Sequence, residues 1–171
     1  PTDHIHLFTD PSIIPYNVSS CRLIFVPIYE VAHYALYAFD MEKKMVNILD
    51  PVRDTSMAGK DIEHRHSTTK IQVSKALQEC MKLAFPDWNE HIQNWEAKYP
   101  TNTIPECHKG DSAYHVLNYM RNWDGTRLVN SVPKESLNMR KEFLFNLLSF
   151  RSNEAILPEH VERIIKMASR R

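Results

Sequence analysis

Hydrophobic residues in the first third of the chain follow the pattern of β-strands. The run CRLIFVPI at residues 21–28 is compact, apolar and rich in β-branched residues, and it predicts a buried strand bounded by Pro27. Two further apolar runs, AHYALYAFD and KMVNILDP, are separated by a polar turn at residues 41–44. This arrangement predicts a hairpin whose two strands lie beside the first strand. Residues 1–20 mix proline, serine and asparagine with short apolar pairs and predict irregular structure.

The apolar spacing changes to a helical period in the middle of the chain. Residues 51–66 are polar and predict a loop, whereas the next segment, TTKIQVSKALQECMKLAF, repeats apolar residues with helical spacing. Pro86 is expected to end that helix. The short segment IQNWEAKYP is compatible with one more edge strand.

A second helix is predicted after a proline-flanked loop. Asp111 stands where an N-cap residue is expected, and Ser112 falls in the first turn of the helix. Two more helices are predicted after Pro133 and Pro158. Strands followed by mixed and then purely helical segments predict an α+β domain with a segregated sheet. The apolar residues that mark the helix after Asp111 are Ala113, Val116, Leu117 and Met120.

Composition narrows the function without assigning one. The 171 residues suit one globular domain, and 21 basic residues balance 21 acidic ones, so no positive field favours nucleic acid. Three cysteines without a CxxC pair favour a reducing compartment, so the nucleus or the cytoplasm is the expected location. No apolar run reaches the length of a membrane span, and three glycines exclude a glycine-rich nucleotide loop. We therefore expect no membrane partner and no cofactor.

Three residues together carry possible chemistry. His33 starts one predicted hairpin strand and Asp50 ends the other, so the hairpin brings the two side chains together. A carboxylate beside an imidazole holds the tautomer and orientation that a base needs. Ser112 lies at a helix N-terminus, where unpaired N–H groups favour negative charge, as a reactive thiolate requires.

These segments resemble the ubiquitin-like-protein-specific, or deSUMOylating, cysteine proteases, particularly plant members. FVPIYEVAHYALYAFDMEKKMVNILDP is similar to their block of catalytic histidine and aspartate, and GDSAYHVLNYMRNWDG to their nucleophile block. The resemblance covers residues 22–150 and implies a papain-like fold with a small mixed or antiparallel sheet flanked by helices. It implies one catalytic domain over residues 1–171, with part of the family's N-terminal region lacking. In the alignment His33 falls on the catalytic histidine, Tyr34 on a substrate-binding tryptophan, Asp50 on the catalytic aspartate, Asp111 on the preceding aspartate and Ser112 on the nucleophilic cysteine.

The chain departs from this family at four positions. Ser112 replaces the cysteine, Ala113 replaces a glycine, and His115 takes a place that is usually apolar or aromatic. Glu106 stands six residues before Ser112, where the family has a glutamine that donates a hydrogen bond to the oxyanion. A carboxylate accepts hydrogen bonds, and losing one oxyanion donor costs on the order of 3 kcal/mol. We therefore expect the protease chemistry to be lost.

Four functional hypotheses follow. The leading one is a degenerate protease domain, catalytically inactive, that acts as a protein-binding module for a ubiquitin-like modifier or its conjugate. The main alternative is an active isopeptidase, or one trapped by an engineered Cys-to-Ser change, that processes SUMO or another ubiquitin-like modifier; Ala113 and Glu106 speak against engineering. A serine-type peptidase and a remnant of a transposon-derived gene stay open.

Other reactive residues receive plainer interpretations. His64 and His66 form an HxH motif in the predicted loop, yet no cysteine or carboxylate has the spacing of a zinc site, so no metal is expected. Cys107 precedes the helix by several residues and is interpreted as a free loop cysteine rather than a displaced nucleophile. His115 is expected to pack against the core.

Overall fold

A computed structural model describes residues 9–30, 32–53, 62–101, 104–133, 136–150 and 153–168. The chain forms two compact units, residues 1–130 and 131–171, which are described separately. Every candidate site residue falls in the first unit. The interpretation of residues 1–171 as a single catalytic domain stays a prediction.

A four-stranded mixed sheet forms the centre of the first unit. The strands lie in the order β1-β2-β3-β4, with antiparallel β1/β2 and β2/β3 pairs and a parallel β3/β4 pair. The predicted hairpin is confirmed, and the segment considered as an edge strand does pair with the sheet. The prediction of a buried strand bounded by Pro27 is wrong, because the first strand continues through Pro27 and none of its residues is fully buried at this edge of the described sheet. The bounds are Leu23–Glu30 for β1, His33–Asp40 for β2, Met45–Leu49 for β3 and Glu96–Lys98 for β4.

One long helix supports the buried core of the first unit. Helix α1 spans Ile62–Ala84, and its Met81 belongs to the core cluster that includes alternate residues of β2 and β3. Alternation places these residues on one face of the sheet. The cluster consists of Ala35, Tyr37, Phe39, Val46, Ile48, Met81, Ile92 and Trp95.

A second helix, α2, contacts β2 in the same unit. It spans Ser112–Asn122, as the apolar spacing predicted, and buries Val116 and Tyr119. Asp111 occupies the N-cap position, but its side chain makes no capping hydrogen bond. The helix start is therefore defined by the preceding 3₁₀ turn, Lys109–Asp111, rather than by the expected aspartate cap.

The loop predicted over residues 51–66 is wrong at its end, because α1 already begins at Ile62. The first turns of α1 bury a polar residue, His66, where an amphipathic helix ordinarily buries an apolar one. His66 shares the buried side of the helix with Ser74, Gln78 and Met81. The hydrophobic pattern therefore missed the start of the helix.

The described residues of the second unit form two helices, as predicted. Helix α3 spans Ser136–Leu148 and helix α4 spans Glu159–Ala168. The carbonyl of Pro158 accepts hydrogen bonds from the N–H groups of Val161 and Glu162, so this proline stands immediately before the first turn of α4. None of the described helices has the length and apolar character needed to cross a membrane.

Candidate active site

The hairpin brings His33 and Asp50 into direct contact. His33 is the first residue of β2, and Asp50 directly follows β3. Nε2 of His33 lies 3.0 Å from Oδ1 of Asp50. Both residues are buried, with 5% and 1% of their surface exposed. The contact predicted from the sequence is therefore present.

Both oxygens of the Asp50 carboxylate accept hydrogen bonds. The N–H of Val52 donates to Oδ1 over 2.8 Å, and Nε2 of His66 lies 3.0 Å from Oδ2. The guanidinium of Arg65 is 3.7 Å from Oδ2. Burial alone disfavours the charged carboxylate, but the hydrogen bonds from His33, His66 and Val52 outweigh it and hold the pKa of Asp50 well below its usual range. Asp50 is thus an ionised, accept-only group.

His66 is a site residue that the sequence interpretation missed. It was considered only as a zinc ligand, yet its ring is buried and lies against Asp50. Its Nδ1 is 2.9 Å from the hydroxyl of Tyr37 and 3.4 Å from a carboxylate oxygen of Glu30. Among the described residues, no group of three or more histidines, cysteines and carboxylates is arranged to hold a metal ion. Extending the buried stripe of α1 back by two turns from Ser74 is the signal that finds His66.

Ser112 lies at the first turn of α2, where its hydroxyl bridges two backbone groups. The hydroxyl donates to the carbonyl of Lys109 over 2.6 Å and accepts from the N–H of Tyr34 over 2.9 Å. Tyr34 directly follows His33, so the structure brings Ser112 to the same end of β2 as the His33–Asp50 pair. Ser112 is 1% exposed. A hydroxyl has one proton to donate, and here that proton forms the hydrogen bond to the carbonyl oxygen of Lys109.

The loop before α2 carries Glu106 and Cys107. Glu106 is exposed, and the N–H of Cys107 donates to the carbonyl of Pro51 over 2.9 Å, which ties the loop to the residue after Asp50. Burial, followed by the negative charges of Asp111, Asp50 and Glu106, raises the pKa of the Cys107 thiol to about 12. Cys107 therefore stays a thiol at neutral pH and lacks the thiolate of a nucleophile.

The aromatic and histidine side chains around the site divide into exposed and buried groups. Tyr34 is 38% exposed, and its ring lies 4.9 Å from that of Tyr29 on the neighbouring strand. His115 is buried, and its Nδ1 is 3.5 Å from the hydroxyl of Tyr119. Burial lowers the pKa of His115, although the charge of Asp111 acts in the opposite direction. The expectation that His115 packs into the core is confirmed.

Comparison with solved structures shows what fold this is. No protein-family model and no curated protein matches the sequence. The SUMO protease Ulp1 with its catalytic cysteine oxidised to a sulfonic acid matches with a TM-score of 0.52 and 16% identity, over 79% of this chain and 56% of that one. The Ulp1 protease domain in complex with Smt3, the yeast ortholog of SUMO, matches with a TM-score of 0.53 and 15% identity, over 82% and 57%.

The chain has the α+β fold of the Ulp1 protease domain. The fold class predicted from the sequence is therefore confirmed. The chain spans less than two thirds of the length of the Ulp1 chains that it matches.

Proposed function

We propose that this chain is a degenerate member of the ubiquitin-like protease family that binds a ubiquitin-like modifier, or a conjugate of one, without cleaving it. The observation that carries the proposal is Ser112 at the start of α2, with its hydroxyl held between two backbone groups beside an intact His33–Asp50 pair. We place its action in the nucleus or the cytoplasm, since its cysteines are free.

Serine is a poor substitute for cysteine at this position. A cysteine beside an imidazole and a helix N-terminus ionises before substrate arrives, whereas a serine hydroxyl is deprotonated only during the attack itself. The proton of Ser112 is donated to the carbonyl of Lys109, so transfer to His33 first requires that bond to break and the hydroxyl to rotate. The geometry therefore supports loss of nucleophilic catalysis.

Glu106 supports a second, independent loss, that of the hydrogen-bond donor that stabilises the oxyanion. It occupies the aligned position of the glutamine that donates to the oxyanion, and a carboxylate there supplies negative charge instead. The acidic character of this loop also acts on Cys107, since Glu106 and Asp111 both raise the pKa of its thiol in addition to burial. A developing oxyanion near this loop is expected to be destabilised.

A protein partner is supported by the likeness to the Ulp1 domain that was solved in complex with Smt3. The half-exposed Tyr34 and the exposed Tyr29 offer an apolar, hydrogen-bonding surface at the same end of β2 as Ser112. We expect this pair to contact the partner.

A serine-type or otherwise active isopeptidase is the second candidate, and the His33–Asp50 contact is the observation that favours it. In that case Ser112 itself has to react, and Glu106 has to be tolerated. Hydrolysis of a SUMO or ubiquitin fusion by the unmodified chain, lost in Ser112→Ala, is the result that establishes this candidate.

The proposal is tested by restoring the two changed residues. Ser112→Cys, Glu106→Gln and the double variant are incubated with suicide probes built on SUMO and on ubiquitin, and covalent adducts are measured by mass spectrometry. We expect adducts with the double variant, far slower labelling of Ser112→Cys alone, and none with the unmodified chain. Adding His33→Ala to the double variant is the matched control and is expected to abolish labelling.

Binding is measured separately, by calorimetric titration of the unmodified chain with SUMO and with ubiquitin. Binding without cleavage supports the proposal, and Tyr34→Ala is expected to weaken it. Equal labelling of the single and double variants contradicts the role given to Glu106. Absence of both labelling and binding contradicts the ubiquitin-like partner.

A further inference from the structure

A second histidine, on a different element from His33, holds the other side of the Asp50 carboxylate. His33 at the start of β2 occupies Oδ1, and His66 in the second turn of α1 occupies Oδ2, each at 3.0 Å. Asp50 is 1% exposed and His66 is 2% exposed, so water does not replace either contact. The carboxylate therefore connects the hairpin to α1.

Hydrogen-bond directions around Asp50 fix the proton positions on both rings. An ionised carboxylate only accepts, so the nitrogen of each histidine that faces it carries the proton. For a neutral His66 this leaves Nδ1 as an acceptor, and the hydroxyl of Tyr37, 2.9 Å away, is the donor. Oε2 of Glu30 lies 3.4 Å from the same Nδ1.

We propose that His66 is a positioning residue that fixes the Asp50 carboxylate and, through it, the Nε2–H tautomer of His33. Without His66, Oδ2 of Asp50 loses its closest hydrogen bond, and the carboxylate is restrained by the Val52 N–H on Oδ1 and by the Arg65 guanidinium, 3.7 Å from Oδ2. This weaker restraint allows Oδ1 a wider range of orientations toward His33. The inference concerns the geometry of the site and goes beyond the proposed function, because it holds whether or not Ser112 supports cleavage.

Tyr37 belongs to the same arrangement. It is fully buried, and its hydroxyl orients His66 by contacting the nitrogen that does not face Asp50. Hydrogen-bonded partners of this kind set which ring nitrogen of a histidine carries the proton. Loss of the Tyr37 hydroxyl is thus expected to disturb His33 in the same direction as loss of His66, but less.

The experiment measures the tautomer of His33 directly. Long-range ¹H–¹⁵N correlation spectra of the ¹⁵N-labelled chain at neutral pH distinguish the two neutral forms of each histidine. The chain has nine histidines, so His33→Gln identifies the resonances of His33 by their loss. Spectra are compared for the unmodified chain, His66→Leu, His66→Gln and Tyr37→Phe. His64→Leu is the matched control, since it makes the same change at an exposed position of the same helix.

We expect a single Nε2–H tautomer for His33 in the unmodified chain and in His64→Leu. In His66→Leu the ¹⁵N shifts of His33 should move toward the average of both tautomers. His66→Gln should restore them, because an amide donates to Asp50 and accepts from Tyr37. If His66→Leu does not fold, Tyr37→Phe gives the test, with a smaller shift of the same sign. An unshifted His33 in folded His66→Leu, or in folded Tyr37→Phe when the leucine variant does not fold, overturns the proposal; so does failure of the glutamine to restore it. None of these outcomes depends on partner binding or on cleavage.

Discussion

The two halves of the candidate site are built differently. Around Asp50, three buried donors from two histidines and one backbone N–H converge on a single carboxylate. Around Ser112, a neutral hydroxyl bridges two backbone groups, and the nearby loop carries an exposed glutamate. The first half stabilises a permanent negative charge, whereas the second half positions a neutral hydroxyl through hydrogen bonds to the backbone. A buried charge needs several converging donors, while a neutral hydroxyl is satisfied by one donor and one acceptor.

Asp50→Ala is expected to lower the free energy of unfolding more than any other substitution proposed below. The change leaves His33, His66 and the N–H of Val52 without their shared acceptor, and each buried donor left unsatisfied costs about 1–3 kcal/mol. Urea unfolding followed by circular dichroism measures the loss. Asp87→Asn, at an exposed position, is the control and should stay within about 0.5 kcal/mol of the unmodified chain. A small effect of Asp50→Ala breaks the comparison, because the two halves are then equally dispensable.

The same half should dominate the response to acid. Because the folded state lowers the pKa of Asp50, the ionised carboxylate contributes stability that is fully present above the unfolded value of about 3.9 and is lost as the pH falls toward the folded value. The free energy of unfolding should therefore decrease below about pH 4. Asp50→Asn should flatten this decrease, and unfolding curves measured at several pH values test it.

Asp124 is the control for that pH dependence. The N–H of Arg127 and the hydroxyl and N–H of Thr126 lower the pKa of this partly exposed carboxylate to about 2. Asp124→Asn should alter the loss of unfolding free energy at acid pH less than Asp50→Asn does, because solvent screens the partly exposed carboxylate. An equal or larger change in Asp124→Asn contradicts the special role of the buried carboxylate.

Substitutions at Ser112, in the second half of the site, are expected to lower the free energy of unfolding less. Ser112→Ala leaves the N–H of Tyr34 without its side-chain acceptor, which costs about 1–3 kcal/mol, whereas the carbonyl of Lys109 keeps the backbone N–H of residue 112 as a donor. Ser112→Cys should lower the free energy of unfolding less than Ser112→Ala does, because the thiol still accepts a hydrogen bond from the N–H of Tyr34, although weakly. Chemical denaturation gives the order. Ser74→Ala is the matched control, because that buried hydroxyl has no hydrogen-bond partner among the residues that the structure describes, and its removal should not destabilise the chain.

The smallest effect is expected from the aromatic pair on the surface. Tyr29 and Tyr34 lie directly opposite each other in β1 and β2, and such cross-strand pairs contribute about 0.5–1 kcal/mol. A double-mutant cycle with Tyr29→Ala and Tyr34→Ala measures the coupling by thermal or urea unfolding. A coupling near zero assigns these rings to partner binding alone.

Much of the first half was predictable from the sequence, and the reasons are local. The two apolar runs and the polar turn between them predicted the hairpin, and the hairpin alone brings His33 to Asp50. The helix that begins at Ser112 followed from its apolar spacing. Local patterns of this kind are set by neighbours in the chain, which is why they were visible.

The remaining features depend on contacts between distant segments. His66 is buried only because Asp50 and Tyr37 satisfy its two nitrogens, and a polar residue in a polar stretch gives no hydrophobic signal. The direction of the Ser112 hydroxyl depends on Tyr34, which lies 78 residues away in the chain. Neither the periodicity nor the spacing of motifs contains this information.

Pro27 in the middle of β1 has a consequence for self-association. Among the described strands β1 lies at one edge of the sheet, and its sequence LIFVPIYE is otherwise suited to pairing with a further strand. An edge strand tolerates proline where the missing N–H faces solvent, and there it interrupts the row of donors that an added strand needs. Pro27 is exposed, and it thus acts as a gatekeeper against edge-to-edge aggregation of a strand whose apolar run would otherwise be uninterrupted.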